Sequence, residues 1–173
     1  DDERIFRFMH NNVEAYRINS GALIWKGVIG DDNYSTINES VENENFIFLL
    51  AEISPSKRDF FNQQLKTGKL DPEQLKMKTN YSLIALDKKN GESFWDVPLK
   101  IDGRNKITWM KLNDNIIYIQ SIYRDIMSLY AFTIDSGTLK WKLDRNVSIL
   151  YPTYNLQLAF YEKSVLLPLD NKI

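Results

Sequence analysis

The chain has 173 residues, with 22 Lys+Arg against 23 Asp+Glu, one His, no Cys and 43% hydrophobic residues. This is enough apolar content for one packed domain, or for part of a larger one, and it excludes general disorder. The net charge of −1 leaves no electrostatic footprint for nucleic acid or an anionic membrane surface, and the lack of Cys excludes disulfides, thiolate zinc sites and Cys nucleophiles.

In chain order, the acidic opening Asp1-Asp2-Glu3 carries no secretory-signal pattern, as a processed chain also would not. Phe6 to His10 and Val13 to Ile18 read as strands joined by Asn11-Asn12, a good short-hairpin dipeptide, and Arg4 to Met9 spans the room for a strand before the first motif. His10 sits at that hairpin end and reads as structural; as the sole His it allows no His pair and no Ser-His dyad. The Asx-rich stretch from Asp31 to Asn45 lacks calcium-loop spacing and reads as a polar loop plus an edge strand. Phe46 to Ile53 is an apolar strand. Its core, Phe46 to Ala51, is the longest apolar run, far short of the roughly 18–20 residues that span a bilayer. Ser54 to Thr79 breaks the β pattern. Within it Asp71-Pro72-Glu73 signals an N-cap, so a short helix is expected near Pro72 to Met77. Strands resume at Tyr81 to Asp87, then at Lys106 to Asp114 and Ile116 to Ile122 around Asn113-Asp114-Asn115. Three more are expected at Ser148 to Tyr154, Leu156 to Tyr161 and Ser164 to Leu169. No Gly-rich phosphate loop occurs.

Three segments align without gaps: EAYRINSGALIWK, IALDKKNGESFWD and YAFTIDSGTLKWK. In each, an Ala is followed six positions later by Gly and ten positions later by Trp: Ala15/Gly21/Trp25, Ala85/Gly91/Trp95 and Ala131/Gly137/Trp141. The residue before each Gly is Ser20, Asn90 or Ser136. The pattern describes a strand, a tight turn with Gly at positive φ, and a second strand carrying a large ring. With further strands between motifs, each unit is a four-stranded blade of a β-propeller. The 46 residues from Ala85 to Ala131 match the roughly 40–50 of a blade, and the 70 from Ala15 to Ala85 leave room for the insertion at 54–79 within the second blade.

These residues resemble the pyrroloquinoline-quinone-like (PQQ-like) β-propeller repeat, Ala-x-Asp-x-x-Thr-Gly-x-x-x-Trp. Ala, Gly and Trp match in all three copies. The Asp place holds Asp87 in one copy but Arg17 and Thr133 in the others, and Ser or Asn replaces Thr. The resemblance implies that each Trp docks on the neighbouring blade, each Gly makes the turn, and the Asp and Thr places tie that turn down. The expected fold is therefore all-β: about three four-stranded blades plus partial ones, spanning 1–173 and belonging to a larger propeller. Only one strand fits before the first motif, so the first blade is expected to lack its innermost strand. Pro168 falls in the Ala place of a motif that the chain does not complete.

Many unrelated roles share this repeat. The resemblance implies a non-catalytic scaffold for protein–protein interaction, outside the cytoplasm, like outer-membrane-assembly lipoproteins or luminal stress-sensor domains. The alternative is part of a quinoprotein dehydrogenase, whose channel holds the quinone and calcium. With no Cys, one His and no ligand cluster, neither a cofactor nor a metal is expected. Expected partners are another protein, the remaining blades of the same propeller, or a second copy. The candidate contact residues are Phe60, Phe61 and Leu65 in the insertion and Trp109, which lies off the repeat template. Trp109 is set where an inner strand nears the central channel, and plain packing is its favoured reading over lining a binding surface.

Overall fold

The computed structural model describes residues 3–9, 11–29, 35–53, 80–99, 101, 105–146, 159–161 and 164–166. The expected helix near Pro72 to Met77, together with Phe60, Phe61, Leu65, His10 and the strand expected at Ser148 to Tyr154, lies outside the described residues.

The described elements are all strands: β1 (Arg4–Met9), β2 (Asn12–Arg17), β3 (Leu23–Val28), β4 (Ser35–Glu42), β5 (Phe46–Ile53), β6 (Asn80–Asp87), β7 (Ser93–Leu99), β8 (Lys106–Asn113), β9 (Ile116–Tyr123), β10 (Ile126–Thr133), β11 (Leu139–Asn146), β12 (Ala159–Tyr161) and β13 (Ser164–Leu166). They form antiparallel meanders in the orders β1-β2-β3, β4-β5-β6-β7 and β8-β9-β10-β11, with a separate β12-β13 hairpin. The three larger sheets are the first, second and third blades. The first has three strands, equivalent to the last three of the others.

Each Ala lies on the strand before the turn and pairs directly with its Trp: Ala15 with Trp25, Ala85 with Trp95, Ala131 with Trp141. A one-residue bulge follows each Ala, so that Tyr16 faces Leu23, Leu86 faces Ser93 and Phe132 faces Leu139. The bulge is how a ten-residue offset closes a hairpin and still keeps Ala and Trp side by side on one face. A small residue there leaves room for the indole.

The turns are superimposable in their bonding. Each Gly N–H donates to the carbonyl four residues back: Gly21 to Arg17 at 2.9 Å, Gly91 to Asp87 at 2.8 Å and Gly137 to Thr133 at 3.0 Å. All three Gly have φ between 63° and 75°. The side-chain ties overlap only in part: Asn90 Oδ1 accepts the Glu92 N–H at 3.0 Å as Ser20 Oγ accepts that of Ala22, while the Asp place varies. Asp87 Oδ1 accepts the Lys89 N–H at 2.6 Å, Thr133 and Ser136 share a hydroxyl bond at 3.1 Å, and Ser20 Oγ accepts the Ala22 N–H at 3.3 Å. The Asp place is thus replaceable, because a hydroxyl nearby can hold the same turn.

Alternation along β5 and β6 produces two apolar faces. Ile47, Leu49, Ala51, Ile84 and Leu86 pack with Val13, Ala15, Trp25 and Ile29 of the first blade. Phe48, Leu50, Tyr81, Leu83 and Ala85 pack with Met110, Ile117, Ile119, Tyr130 and Phe132 of the third. The core is therefore the space between blades, filled from both sides.

Candidate functional site

The repeat residues assemble a docking joint between successive blades. Trp25 Nε1 donates to the Lys88 carbonyl at 2.8 Å, and Trp95 Nε1 donates to the Ile134 carbonyl at 2.8 Å. Lys88 and Ile134 each stand three residues before the Gly of the following blade. That Gly receives the ring: a Cβ on Gly91 would lie 2.4 Å from Trp25 Cε3, and one on Gly137 would lie 2.9 Å from Trp95 Cζ3. Gly21, at the equivalent place in the first blade, faces open space. Trp25 is 8% exposed, while Trp141 is 39% exposed and leans on Tyr118 with ring centroids 6.0 Å apart. Docking between blades, expected for all three Trp, is present at buried Trp25 and half-buried Trp95, while Trp141 stays exposed.

Lys88 was not legible as a joint residue. Its carbonyl also accepts Arg4 Nη1 at 2.6 Å, and its ammonium meets Glu42 at 2.9 Å and the Asn43 carbonyl at 2.8 Å. A backbone acceptor has no side-chain signature, so only the shared offset from Gly hinted at it. Trp109 is half-buried on β8 beside Tyr118, Leu129 and Ala131, with Lys111 Nζ 5.6 Å from its ring.

Three surfaces remain. The first is a polar cavity of about 310 Å3 where β4, β5, β6 and the start of β8 converge, lined by Asn38, Glu39, Glu52, Tyr81, Lys106 and Ile107. Burial pushes the Glu39 carboxyl above its ordinary range. Burial, reinforced by the nearby Glu52 charge, raises the Tyr81 phenol. Asn38 Nδ2 donates to Glu52 Oε2 at 3.3 Å. The second is an apolar groove of about 460 Å3 at the outer rim between the second and third blades. Val97, Leu99, Ile101, Tyr130, Phe132 and Leu139 form its walls.

The third is the face of the first blade turned away from the second. The positions that hold Ile47, Leu49, Ile84 and Leu86 in the second blade hold Ile5, Arg7, Glu14 and Tyr16 here, by the matching cross-strand registers. Glu14 is buried, and the Tyr16 hydroxyl donates to it at 2.6 Å. Lys26 lies 3.5 Å and Arg7 3.9 Å from its carboxylate. The Tyr16 hydrogen bond, helped by Lys26 and Arg7, holds the Glu14 carboxyl below its ordinary range. None of these polar residues carries a motif signature in the sequence.

No family model and no curated protein matches the chain. Among solved structures it is similar to a quinohemoprotein alcohol dehydrogenase from Pseudomonas putida HK5, at 11% identity and a TM-score of 0.53, over 81% of this chain and 25% of that one. The fold is that of a β-propeller. This chain spans about a quarter of the enzyme it matches, and a likeness at this identity establishes architecture alone. Among the described residues no group of three or more His, Asp or Glu is placed to hold a metal, and no helix is long and apolar enough to cross a membrane.

Proposed function

We propose that this chain is a propeller segment that works by protein–protein interaction outside the cytoplasm. The supporting observation is the apolar groove between the second and third blades. Leu139 stands on its lip and is exposed on β11. An apolar recess between two rigid sheets offers a partner side chain a preformed pocket, and rigid sheets cost little ordering on binding. The test is a photo-crosslinking residue at position 139 in cells of the source organism, with Val97→Glu as the companion variant. One discrete adduct, lost in Val97→Glu, supports the reading; no adduct refutes it.

The second reading, part of a quinoprotein dehydrogenase, draws on the likeness in fold. The polar cavity does not suit the calcium such a site needs. Lys106 lines it, Asn38 turns its amide N–H toward Glu52, and half-buried Glu39 holds its proton more tightly than an ordinary carboxyl. Calorimetric titration with calcium and quinone separates the two readings. Stoichiometric binding of both would favour the dehydrogenase.

A further inference from the structure

The first blade presents a strand edge that the other two blades fill. In the second blade β4 covers the edge of β5, and in the third β8 covers the edge of β9; among the described residues nothing pairs with the corresponding edge of β1. The Ile18 N–H donates to the Glu3 carbonyl at 3.1 Å, which fixes the parity of the β1–β2 ladder. In an antiparallel pair, alternate residues bond the partner strand. Ile5, Arg7 and Met9 therefore bond β2, and the N–H and C=O groups of Arg4, Phe6 and Phe8 point outward at the edge.

The side chains specify what belongs there. Lys26, Glu14 and Arg7 are direct cross-strand neighbours on β3, β2 and β1. Their charges run plus, minus, plus across the sheet and stop at the open edge. The Arg7 side chain is 63% exposed and sits 3.9 Å from a carboxylate already met by Tyr16 and Lys26. In the other blades this row is Asp96, Ile84, Leu49, Ser40 and Lys142, Tyr130, Ile119, Met110, neither of which alternates in charge. Flanking Arg7 on the same face are the exposed apolar side chains of Ile5 and Met9.

We infer that the open edge of β1 binds an extended segment of a partner protein as a fourth, antiparallel strand, with an acidic residue opposite Arg7 and apolar residues opposite Ile5 and Met9. The required pattern is apolar-x-(Asp/Glu)-x-apolar. Ladder hydrogen bonds at Arg4, Phe6 and Phe8 supply affinity, and the carboxylate completes the charge alternation and supplies specificity. The inference rests on the interaction reading but uses a surface separate from the groove, so variants at the groove and at β1 fail independently.

The test uses the whole chain and two fluorescent nonapeptides, one with a Val-Thr-Glu-Thr-Val centre and one with Lys in place of Glu. The Glu peptide is expected to bind about tenfold more tightly, close to the 1.4 kcal/mol that a tenfold ratio represents. Arg7→Glu is expected to invert the preference, and Lys26→Glu to narrow it. Amide exchange at Phe6 and Phe8 is expected to slow only when the Glu peptide is present. Three results would overturn the inference: equal binding of both peptides, Phe6 and Phe8 amides already protected in the free chain by one of its own segments, or sedimentation showing two copies paired through this edge and unmoved by peptide.

Discussion

Replacing Gly91 by Ala separates the two roles that Gly has in this repeat. The backbone at Gly91 has φ of 75°, and a Cβ there would lie 2.4 Å from Trp25 Cε3. The left-handed conformation alone costs a residue with a Cβ about 1–2 kcal/mol. Forcing a methyl against a packed ring adds about 1–3 kcal/mol. The ring has little freedom to yield, since its Nε1 is bonded to Lys88 and its face meets Phe6 with centroids 5.8 Å apart. Gly91→Ala is therefore expected to cost about 2–5 kcal/mol. Gly21 has φ of 65° and nothing within 4 Å of its Cβ position, so Gly21→Ala carries only the conformational part, about 1–2 kcal/mol. Urea unfolding followed by far-ultraviolet circular dichroism reads both, the slope serving as the check that compactness is unchanged. In a Trp25→Ala background the extra cost at Gly91 should vanish, and this coupling is the double-mutant signature of direct contact. Equal costs at Gly21 and Gly91, or a Gly91 cost unchanged without Trp25, would refute the docking argument.

Trp95→Phe should cost about 1–3 kcal/mol, more than Trp25→Phe, because the Ile134 carbonyl would lose its donor whereas Lys88 keeps Arg4 at 2.6 Å; urea midpoints compare them. Glu14 has its folded-state pKa depressed, so its contribution to stability is present above the ordinary carboxylate range and is lost as pH falls through the folded value. Glu14→Gln should then flatten the acid limb of a stability-versus-pH curve measured between roughly pH 7 and pH 3, and an unchanged limb would contradict the assignment. Replacing 54–79 with a short turn should preserve the fold, because Ile53 and Asn80 are already a cross-strand pair; loss of the native circular dichroism spectrum would show that the insertion belongs to the core.

The fold was legible in the sequence because its information is local. An Ala, a Gly six residues on and a Trp ten residues on specify a strand, a left-handed turn and a second strand. Three copies of that unit, with apolar alternation between them, leave stacked sheets as the way to bury every face. The exchangeable Asp place was legible too, as a mismatch at Arg17 and Thr133, although not the hydroxyl bonds of Ser20, Thr133 and Ser136 in those two turns.

Tertiary structure decided everything that depends on which blade meets which. The acceptors for Trp25 and Trp95 are backbone carbonyls of Lys88 and Ile134, groups every residue carries, so no side chain announces them. The partial exposure of Trp141 beside the burial of Trp25 follows from neighbours rather than from motif, since the two Trp share the same local pattern. The charge ladder of Lys26, Glu14 and Arg7 spans three strands, with members 7 and 12 residues apart along the chain, and becomes a row only once the register is set. Cross-strand pairing brings together side chains that sequence spacing keeps apart, and an unfilled edge exists only when the other strands have found their places.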